Sequence, residues 1–438
     1  MFRPTLGLVA VASVALCAPT FHKDVEPIVQ KNCQTCHRPG EVAPFSLMDY
    51  ASARPWAKAI KTATASRKMP PWFADEKLSN HFSNERKLTQ AEIATIAEWA
   101  DAGAPEGNPK DAPKPLTFQT GWAIKPDMIV EMPADFDVPA SGDIDYQYTL
   151  VKTNFKEDMW IVSAEMRPGN NAVVHHGEAW VRFPGSKWMD GAKEGVSYST
   201  NSMRKATGEG EILGKFNPGL GAQTFDFGGS AKFVPKGSDI VFEVHYSANG
   251  TPQKSRSSVG LVLAKAQPKL RYVTGYGPSA ANLVIAPGDP HAEVVAEHTV
   301  TEPSKLVYVQ PHLHLRGTDY EVRVVFPNGE KQTVFQGKFD FNWQLGYDLK
   351  NPVDLPVGAK IQSIAHYDNS ANNRFNPDPT KEVIWGLQNR DEMQNCFMGF
   401  LIDAKQNPDK MFKNTGPTVL PRVTGKSGPT AVTLEASK

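Results

Sequence analysis

The chain has 438 residues, with 47 Lys and Arg against 47 Asp and Glu, and 40% of its residues are hydrophobic. This length predicts two or three domains. The balanced charge and the lack of a basic block in the sequence argue against nucleic acid and anionic membrane surfaces as partners.

The first 18 residues are typical of a signal peptide. Arg3 precedes an apolar stretch over residues 5–17, and small residues at 15–18 offer a cleavage site. An uncleaved anchor and a lipid on Cys17 are the alternatives. No later stretch of sequence is long and apolar enough to cross a bilayer, so we expect a periplasmic or secreted protein with no transmembrane span after cleavage.

Residues 21–104 are predicted to be helical. Thr89 and Glu92 have the spacing of a capping box, in which each side chain binds the other's free backbone donor. Ile93 and Ile96 then recur at helical spacing. Four prolines among charged and small residues follow, which predicts a stiff linker over residues 105–118.

No stretch of helical period and length stands out between residues 117 and 415. Residues 239–246 and 306–315 read as strands, and Asn328-Gly329 is a hairpin turn signal. The 34 Gly and 35 Pro residues also favour turns and strands. We predict two β-sandwiches, over residues 119–267 and 268–415, and then a loose tail over 416–438.

The most specific motif is Cys-x-x-Cys-His. Cys33 and Cys36 can add to the two vinyl groups of one haem, and His37 can then bind the iron. This predicts one covalent haem c; a redox pair and half of a zinc site are the alternatives. Met69 lies before two prolines and is the expected sixth ligand, with His81 as its rival.

The histidines of the β region fall into three groups, which are His175-His176, His245 and His312-x-His314. Residues two apart in a strand share a face, so His312 and His314 can form half of a metal site. His175 and His176 are adjacent, and a strand end or a bulge is needed for both to bind one ion. His245 lies in a strand-like run and can supply a third ligand.

The order of these motifs, followed by Asp391-Glu392-Met393, resembles the copper type II, ascorbate-dependent monooxygenases. That family includes peptidylglycine α-hydroxylating monooxygenase and dopamine β-monooxygenase, and the resemblance covers residues 120–410. It implies two copper ions, one held by His175, His176 and His245, and one held by His312, His314 and Met393. It also implies that O2 is activated at the Met-bearing copper, which makes His312, His314 and Met393 catalytic. Met398 is the alternative thioether ligand.

The two patterns together imply a fold class. Residues 21–104 resemble a small cytochrome c domain, and the remainder resembles the monooxygenases. We therefore expect a multidomain protein with a small all-α cytochrome c domain, followed by two all-β, jelly-roll-like sandwich domains.

The chain also departs from the monooxygenase family. The well-known animal members contain several disulfides, which four cysteines here cannot supply. The peptide-amidating branch has an Arg where this chain has Gln310, and a Tyr where it has Phe397, although Asn395 is retained. The copper ligands are thus kept while positions that contact the substrate have changed.

These observations lead to a functional hypothesis. Hydroxylation of a C–H bond with one O2 needs two electrons, and a tethered haem offers an entry point for them. We expect an oxidoreductase that acts on a small organic molecule and O2, with an external electron donor as a further partner. The alternatives are a periplasmic electron-transfer or copper-binding protein without oxygenase activity, and a hydrolase with zinc at the histidines.

Overall fold

The structure is a computed structural model that describes residues 18–414 except 40, 42, 119–120, 200–209, 218–219 and 387. Nearly all of the predicted signal peptide, including Cys17, and all of the predicted tail lie outside the described residues. No helix in the described ranges is both long and apolar enough to cross a membrane. The chain forms two compact units, one of residues 1–72 and 86–119, the other of residues 73–85 and 120–438.

The first unit is built around short helices. They are α1 (Glu26–Asn32), α2 (Tyr50–Ala53), α3 (Ala57–Ala65) and α4 (Gln90–Asp101), with single helical turns at Phe21–Val25, Arg54–Trp56 and Pro109–Asp111. The capping box that starts α4 is confirmed, because the Thr89 hydroxyl accepts from the Glu92 amide and the Glu92 carboxylate accepts from the Thr89 amide. Trp99 of α4 is fully buried, with its ring 5.8 Å from that of Phe21.

The second unit contains the strands. In chain order they begin with β1 (Met128–Glu131), β2 (Phe136–Val138), β3 (Gln147–Val151), β4 (Met159–Arg167), β5 (Val174–Arg182), β6 (Ser197–Ser199), β7 (Gly210–Phe216), β8 (Gln223–Thr224), β9 (Ser230–Val234), β10 (Asp239–Tyr246), β11 (Gln253–Ser255) and β12 (Ser258–Leu263). They continue with β13 (Leu270–Tyr276), β14 (Val284–Ile285), β15 (Ala292–Val300), β16 (Ser304–His312), β17 (Gly317–Val325), β18 (Lys331–Lys338), β19 (Tyr347–Leu355), β20 (Lys360–Tyr367), β21 (Val383–Ile384), β22 (Asn395–Asp403) and β23 (Phe412–Asn414). Short helical turns lie at Glu76–Leu78 and Pro408–Lys410.

Three large sheets organise these strands. The shared sheet has the order β1-β12-β4-β9-β13-β22-β16-β19, with β8 beside β4. The first outer sheet has the order β6-β3-β10-β5-β7, and the second has the order β18-β17-β20-β15-β23. Ile161 and Val259 of the shared sheet form one buried core with Phe242 and Val244 of the first outer sheet. Such face-to-face packing of two sheets is a β-sandwich.

A parallel pair of strands, β9 and β13, joins the two halves of the shared sheet, and we call this pair the seam. β9 pairs with β13, so that Ser230 lies opposite Leu270 and Lys232 lies opposite Tyr272. The buried ammonium of Lys232 donates to the Glu211 carboxylate at this seam. Strands from both halves of the chain therefore belong to one continuous hydrogen-bonded sheet.

A short segment from early in the chain belongs to this β unit. The amide of Asp75 donates to the Gln336 carbonyl at 2.7 Å, and the amide of Ser83 donates to the Asp348 carbonyl at 2.9 Å. Phe82 is buried, with its ring 5.3 Å from that of Tyr347. Residues 73–85 thus cover β18 and β19, which are the end strands of two different sheets.

The predicted fold class was wrong. The chain is mostly β-sheet, with only 13% of it helical, and it contains many-stranded β-sandwich structure but no small all-α cytochrome c domain in its described N-terminal part. Residues 21–104 do not form one helical body, since residues 73–85, which include the buried Phe82, belong to the β unit. The two halves of the β region are also joined by the seam. Helical spacing identified α4, but it could not reveal that the intervening chain pairs with distant strands.

Candidate metal centres

His175, His176 and His245, which we call the three-His group, lie together on two paired strands of the first outer sheet. His176 lies opposite His245, and Val174 lies opposite Tyr246, so His175 is the extra residue of a β-bulge. The bulge turns both adjacent imidazoles toward His245, with ring centres 5.1 to 5.6 Å apart. One ring nitrogen from each residue lies within 4.8 Å of the others, a spacing that suits one metal ion.

The ring nitrogens of this group are arranged for a cation. The Nδ1 atoms of His175 and His176 are 3.0 Å apart, and the buried Nδ1 of His245 has no hydrogen-bond partner among the described residues. The Tyr146 hydroxyl lies 3.1 Å from Nε2 of His176. A ring that donates from Nε2 to Tyr146 presents the Nδ1 lone pair to a metal, because metal-binding histidines usually donate their other ring N–H to a nearby acceptor. The donor set therefore fits copper.

Burial keeps these imidazoles neutral. It lowers the pKa of His175, lowers the pKa of His245 to about 4, and holds the pKa of His176 well below its ordinary value. The neighbouring histidines of the group act in the same direction on His176 and His245. Neutral imidazole is the form that binds a metal, and no proton has to be displaced near neutral pH.

His312, His314 and Met393 form the second set, which we call the His-Met group. His312 is the last residue of β16, and His314 lies just beyond the strand. Their rings are 5.3 Å apart and nearly perpendicular. The amides of His314 and Met393 donate to the same Glu392 oxygen, at 2.9 and 3.2 Å. The structure thus brings the Asp-Glu-Met segment next to the His-x-His segment.

Hydrogen bonds orient the two imidazoles of this group. Nδ1 of His312 lies 2.7 Å from the Gln344 side-chain oxygen, and Nδ1 of His314 lies 3.4 Å from the Asp391 carbonyl. Both Nδ1 atoms are then donors, which leaves each Nε2 available to a metal. Burial lowers the pKa of His312 to about 4 and that of His314 to about 3. Together with a thioether, these donors fit copper better than zinc.

The two histidine groups influence each other within the β unit. Burial is the main cause of the lowered pKa of His176 and His314, and protonation of nearby histidines opposes protonation further: His312 and His314 act in this way on His176, and His245 acts so on His314. Phe341, from the loop after β18, stacks 5.7 Å from the ring of His175. A residue from the C-terminal half of the chain therefore lies against the three-His group.

Met398, the rival thioether, faces away from these imidazoles. It pairs with Val309 on β16, and its sulfur packs directly against Gly277. Its neighbour Phe397 lies on the opposite face of β22, with its ring 6.1 Å from that of His312. Since alternate residues of a strand point to opposite faces, this geometry favours Met393 over Met398.

The haem motif lies in the first unit, just after α1. Nδ1 of His37 lies 3.2 Å from the Phe45 carbonyl, which directs Nε2 away from the backbone and makes it available to iron. Cys33 packs against the core of this unit. Met69 belongs to the same unit, whereas the exposed His81 belongs to the β unit. The residues present fit a covalent haem.

Sequence reasoning missed the groups that orient the ligands. Gln344 lies in a loop far along the chain from His312, and Tyr146 precedes β3 without any motif around it. The sequence motif Asp-Glu-Met includes Glu392, but it does not reveal that the Glu392 carboxylate accepts hydrogen bonds from three backbone amides. These are the amides of His314, Arg316 and Met393. Burial raises the pKa of Glu392 to about 7, while those donors oppose the rise.

Comparisons with known proteins do not assign this chain to a family. No protein-family description matches the chain, and no curated protein is similar to it. Solved structures that share some likeness include infectious bursal disease virus Gx strain (10% identity, 67% of this chain and 78% of that chain, TM-score 0.18) and PNGF-II (10%, 64% and 65%, 0.24). Another is allantoicase (8%, 53% and 81%, 0.14). Likeness this weak carries no argument about fold or function.

Proposed function

We propose that this chain is an exported copper-dependent monooxygenase that hydroxylates a C–H bond of a small organic substrate with O2. The observation that carries the proposal is the presence of the three-His group and the His-Met group in one β unit, each with ring nitrogens available to a metal. The order of these ligands along the chain resembles that of the copper type II monooxygenases. Copper bound to them would supply O2 activation and one-electron transfer.

The protein's own side chains prepare the second site for this chemistry. Gln344 and the Asp391 carbonyl fix the ring orientations of His312 and His314. Both imidazoles are almost fully buried, which limits the access of water to the site. A rigid, dry set of neutral donors is the environment in which a reactive oxidant is protected from side reactions.

Electrons are proposed to enter through the haem. The overall reaction converts R–H, O2, two electrons and two protons into R–OH and water, so the chain needs a reductant. A haem on Cys33 and Cys36 with His37 as axial ligand would accept electrons singly from an external donor. Met69 is the proposed sixth ligand, because a thioether raises the reduction potential.

The test measures the haem and copper content of the purified full-length chain and its reaction with O2. We expect one haem and two copper ions per chain, and two type II signals in the electron paramagnetic resonance spectrum of the oxidised protein. With copper loaded, pre-reduced haem should be reoxidised by O2. Zinc at the histidines, or no O2-dependent reoxidation of the haem, would refute the proposal.

A haem and copper protein without oxygenase activity is the second candidate. It is favoured by contacts beside His312, where Lys215 approaches Phe397 and Gln310, the two positions that depart from the peptide-amidating branch. Substrate-stimulated O2 uptake separates the two functions. An electron carrier would bind copper and haem but would consume no additional O2 with any organic compound.

A further inference from the structure

Residues 73–85, which we call the strap, lie beside both strands that flank one loop of the β unit. The strap follows one segment of the first unit and precedes another, although it belongs to the β unit itself. Its first part pairs with β18 at Gly337, and its last part pairs with β19 at Leu349. Residues 339–346 connect β18 to β19, and we call them the linking loop. The strap therefore holds the chain on both sides of the linking loop.

The linking loop contacts both histidine groups. The Gln344 side-chain oxygen lies 2.7 Å from Nδ1 of His312, and the Phe341 ring stacks 5.7 Å from that of His175. The Gln344 carbonyl also accepts from the side-chain amide of Gln310, at 2.9 Å. A displacement of this loop would therefore change the contact that orients His312 in the His-Met group.

Asn84 of the strap binds the end of the linking loop with both ends of its side-chain amide. Its Nδ2 donates to the Gly346 carbonyl at 3.0 Å, and its Oδ1 accepts from the Asp348 amide at 3.1 Å. A Cβ atom on Gly346 would lie 2.1 Å from the Tyr308 hydroxyl, so only glycine allows this close approach. Gly346, two residues after Gln344, is thus fixed at its carbonyl by Asn84 and at its Cα by Tyr308.

Protection of strand edges does not by itself require Asn84. End strands present unpaired backbone groups, and proteins commonly cover them. The strap already does this with its backbone, since the amides of Asp75 and Ser83 donate to carbonyls of β18 and β19. Asn84 instead uses a side chain that both donates and accepts, at the point where the linking loop meets β19. Its contacts therefore act on the loop as well as on the strand.

We propose, building on the copper sites of the proposed function, that Asn84 is a positioning residue for the His-Met group. It fixes Gly346, and through the linking loop it holds Gln344 against Nδ1 of His312. The His312 ring then keeps Nε2 directed toward the ion. Asn84 touches neither ligand nor substrate, so it acts only through the loop. Groups that orient metal ligands in this way affect metal affinity and turnover although they lie outside the coordination sphere.

The experiment compares Asn84→Ala with the parent full-length chain, each loaded with Cu(I). Competition with a chelator gives the affinity of each copper, and sulfur scattering in the X-ray absorption spectrum reports the thioether of the His-Met group. We expect the affinity of the His-Met group to fall about ten-fold, the lower end of the range for loss of an orienting hydrogen bond, and the sulfur scattering to weaken. The affinity of the three-His group should stay within about two-fold, since a stacking contact with Phe341 restrains a ring less strictly than a hydrogen bond.

Two further variants separate positioning of the loop from general loosening of the strap. Asn84→Asp retains an oxygen that accepts from the Asp348 amide but lacks the N–H that donates to Gly346, so it should reproduce the effect of Asn84→Ala. Ser83→Ala is the matched control, because Ser83 is exposed and its backbone amide still donates to Asp348. Parent-like affinity and scattering in both Asn84 variants, an equal loss in Ser83→Ala, or an equal loss at both copper groups would overturn the proposal.

The outcome is separable from that of the proposed oxygenase. A loss of affinity and sulfur scattering in both Asn84 variants, in a chain whose parent shows no substrate-dependent O2 uptake, would support the positioning role and remove the oxygenase. If the parent does turn over, Asn84→Ala should lower kcat about ten-fold and change KM less than about two-fold, because Asn84 does not touch the substrate. O2 uptake that is equal in the parent and both Asn84 variants would support the oxygenase and remove the role of Asn84.

Discussion

Removal of the Tyr146 hydroxyl, by Tyr146→Phe, tests how the three-His group binds copper. In the structure this hydroxyl lies 3.1 Å from Nε2 of His176, while the Tyr146 ring stacks 4.7 Å from that of His245. Phenylalanine keeps the stacking and loses the hydrogen bond to His176. The substitution therefore isolates the group that holds the His176 ring with Nδ1 toward the metal.

The expected magnitude follows from that single contact. A neutral hydrogen bond contributes about 1 kcal/mol to the free energy of unfolding, so the metal-free variant should be only slightly destabilised. Loss of a hydrogen-bond partner that orients a metal ligand lowers metal affinity by about 10- to 100-fold. We expect about ten-fold, the lower end of that range, because the stacked ring still restrains the site.

The assay is competition for Cu(I) between the metal-free chain and a colorimetric chelator. Tyr148→Phe is the matched control, because the Tyr148 hydroxyl donates to Glu243 at 3.0 Å and its ring lies against that of Trp188, at 6.2 Å. The reasoning is refuted if Tyr146→Phe binds copper as tightly as the parent, or if Tyr148→Phe weakens copper binding equally.

Three further predictions follow. Met393→Ile should abolish substrate-dependent O2 uptake and retain copper at the three-His group, whereas Met398→Ile should keep turnover; the reverse result would reassign the thioether ligand. The metal-free protein should lose stability in urea titrations as the pH falls from 6.5 toward 4, since His245 and His312 have pKa values of about 4 when folded and the unfolded chain binds more protons in that window. Within that window each of the two histidines lowers the free energy of unfolding by about 1.4 kcal/mol for each pH unit of acidification. A free energy of unfolding that does not change with pH would contradict this. Cys36→Ser should leave haem attached by one thioether, seen as a red-shifted pyridine haemochrome spectrum; an unchanged spectrum would exclude Cys36 from the attachment.

Local patterns in the sequence predicted local structure. The capping box of α4 could be predicted because Thr89 and Glu92 are three residues apart and bind each other's backbone. The need for a bulge or a strand end at His175 and His176 followed from strand geometry, and the bulge is present. That the imidazoles bind copper stays a prediction.

The sequence alone could not predict which distant strands pair with each other. Nothing around Lys232 or Tyr272 marks them as partners in a parallel ladder, because any apolar strand could fill that place. Phe82 belongs to a stretch that motif reasoning assigned to a helical domain, yet its ring is buried among aromatic residues of distant strands. The orientation of His312 by Gln344 likewise depends on a loop whose position only the folded chain defines.

The seam between β9 and β13 has a consequence for how electrons and substrates would move in the β unit. Hinged closure of one half over the other would have to break this ladder and expose the ion pair of Lys232 and Glu211 to solvent. The span between the three-His group and the His-Met group is therefore set when the chain folds. In the proposed oxygenase, an electron passing from one group to the other would tunnel across a constant gap, and a substrate would bind without hinged closure of the two halves.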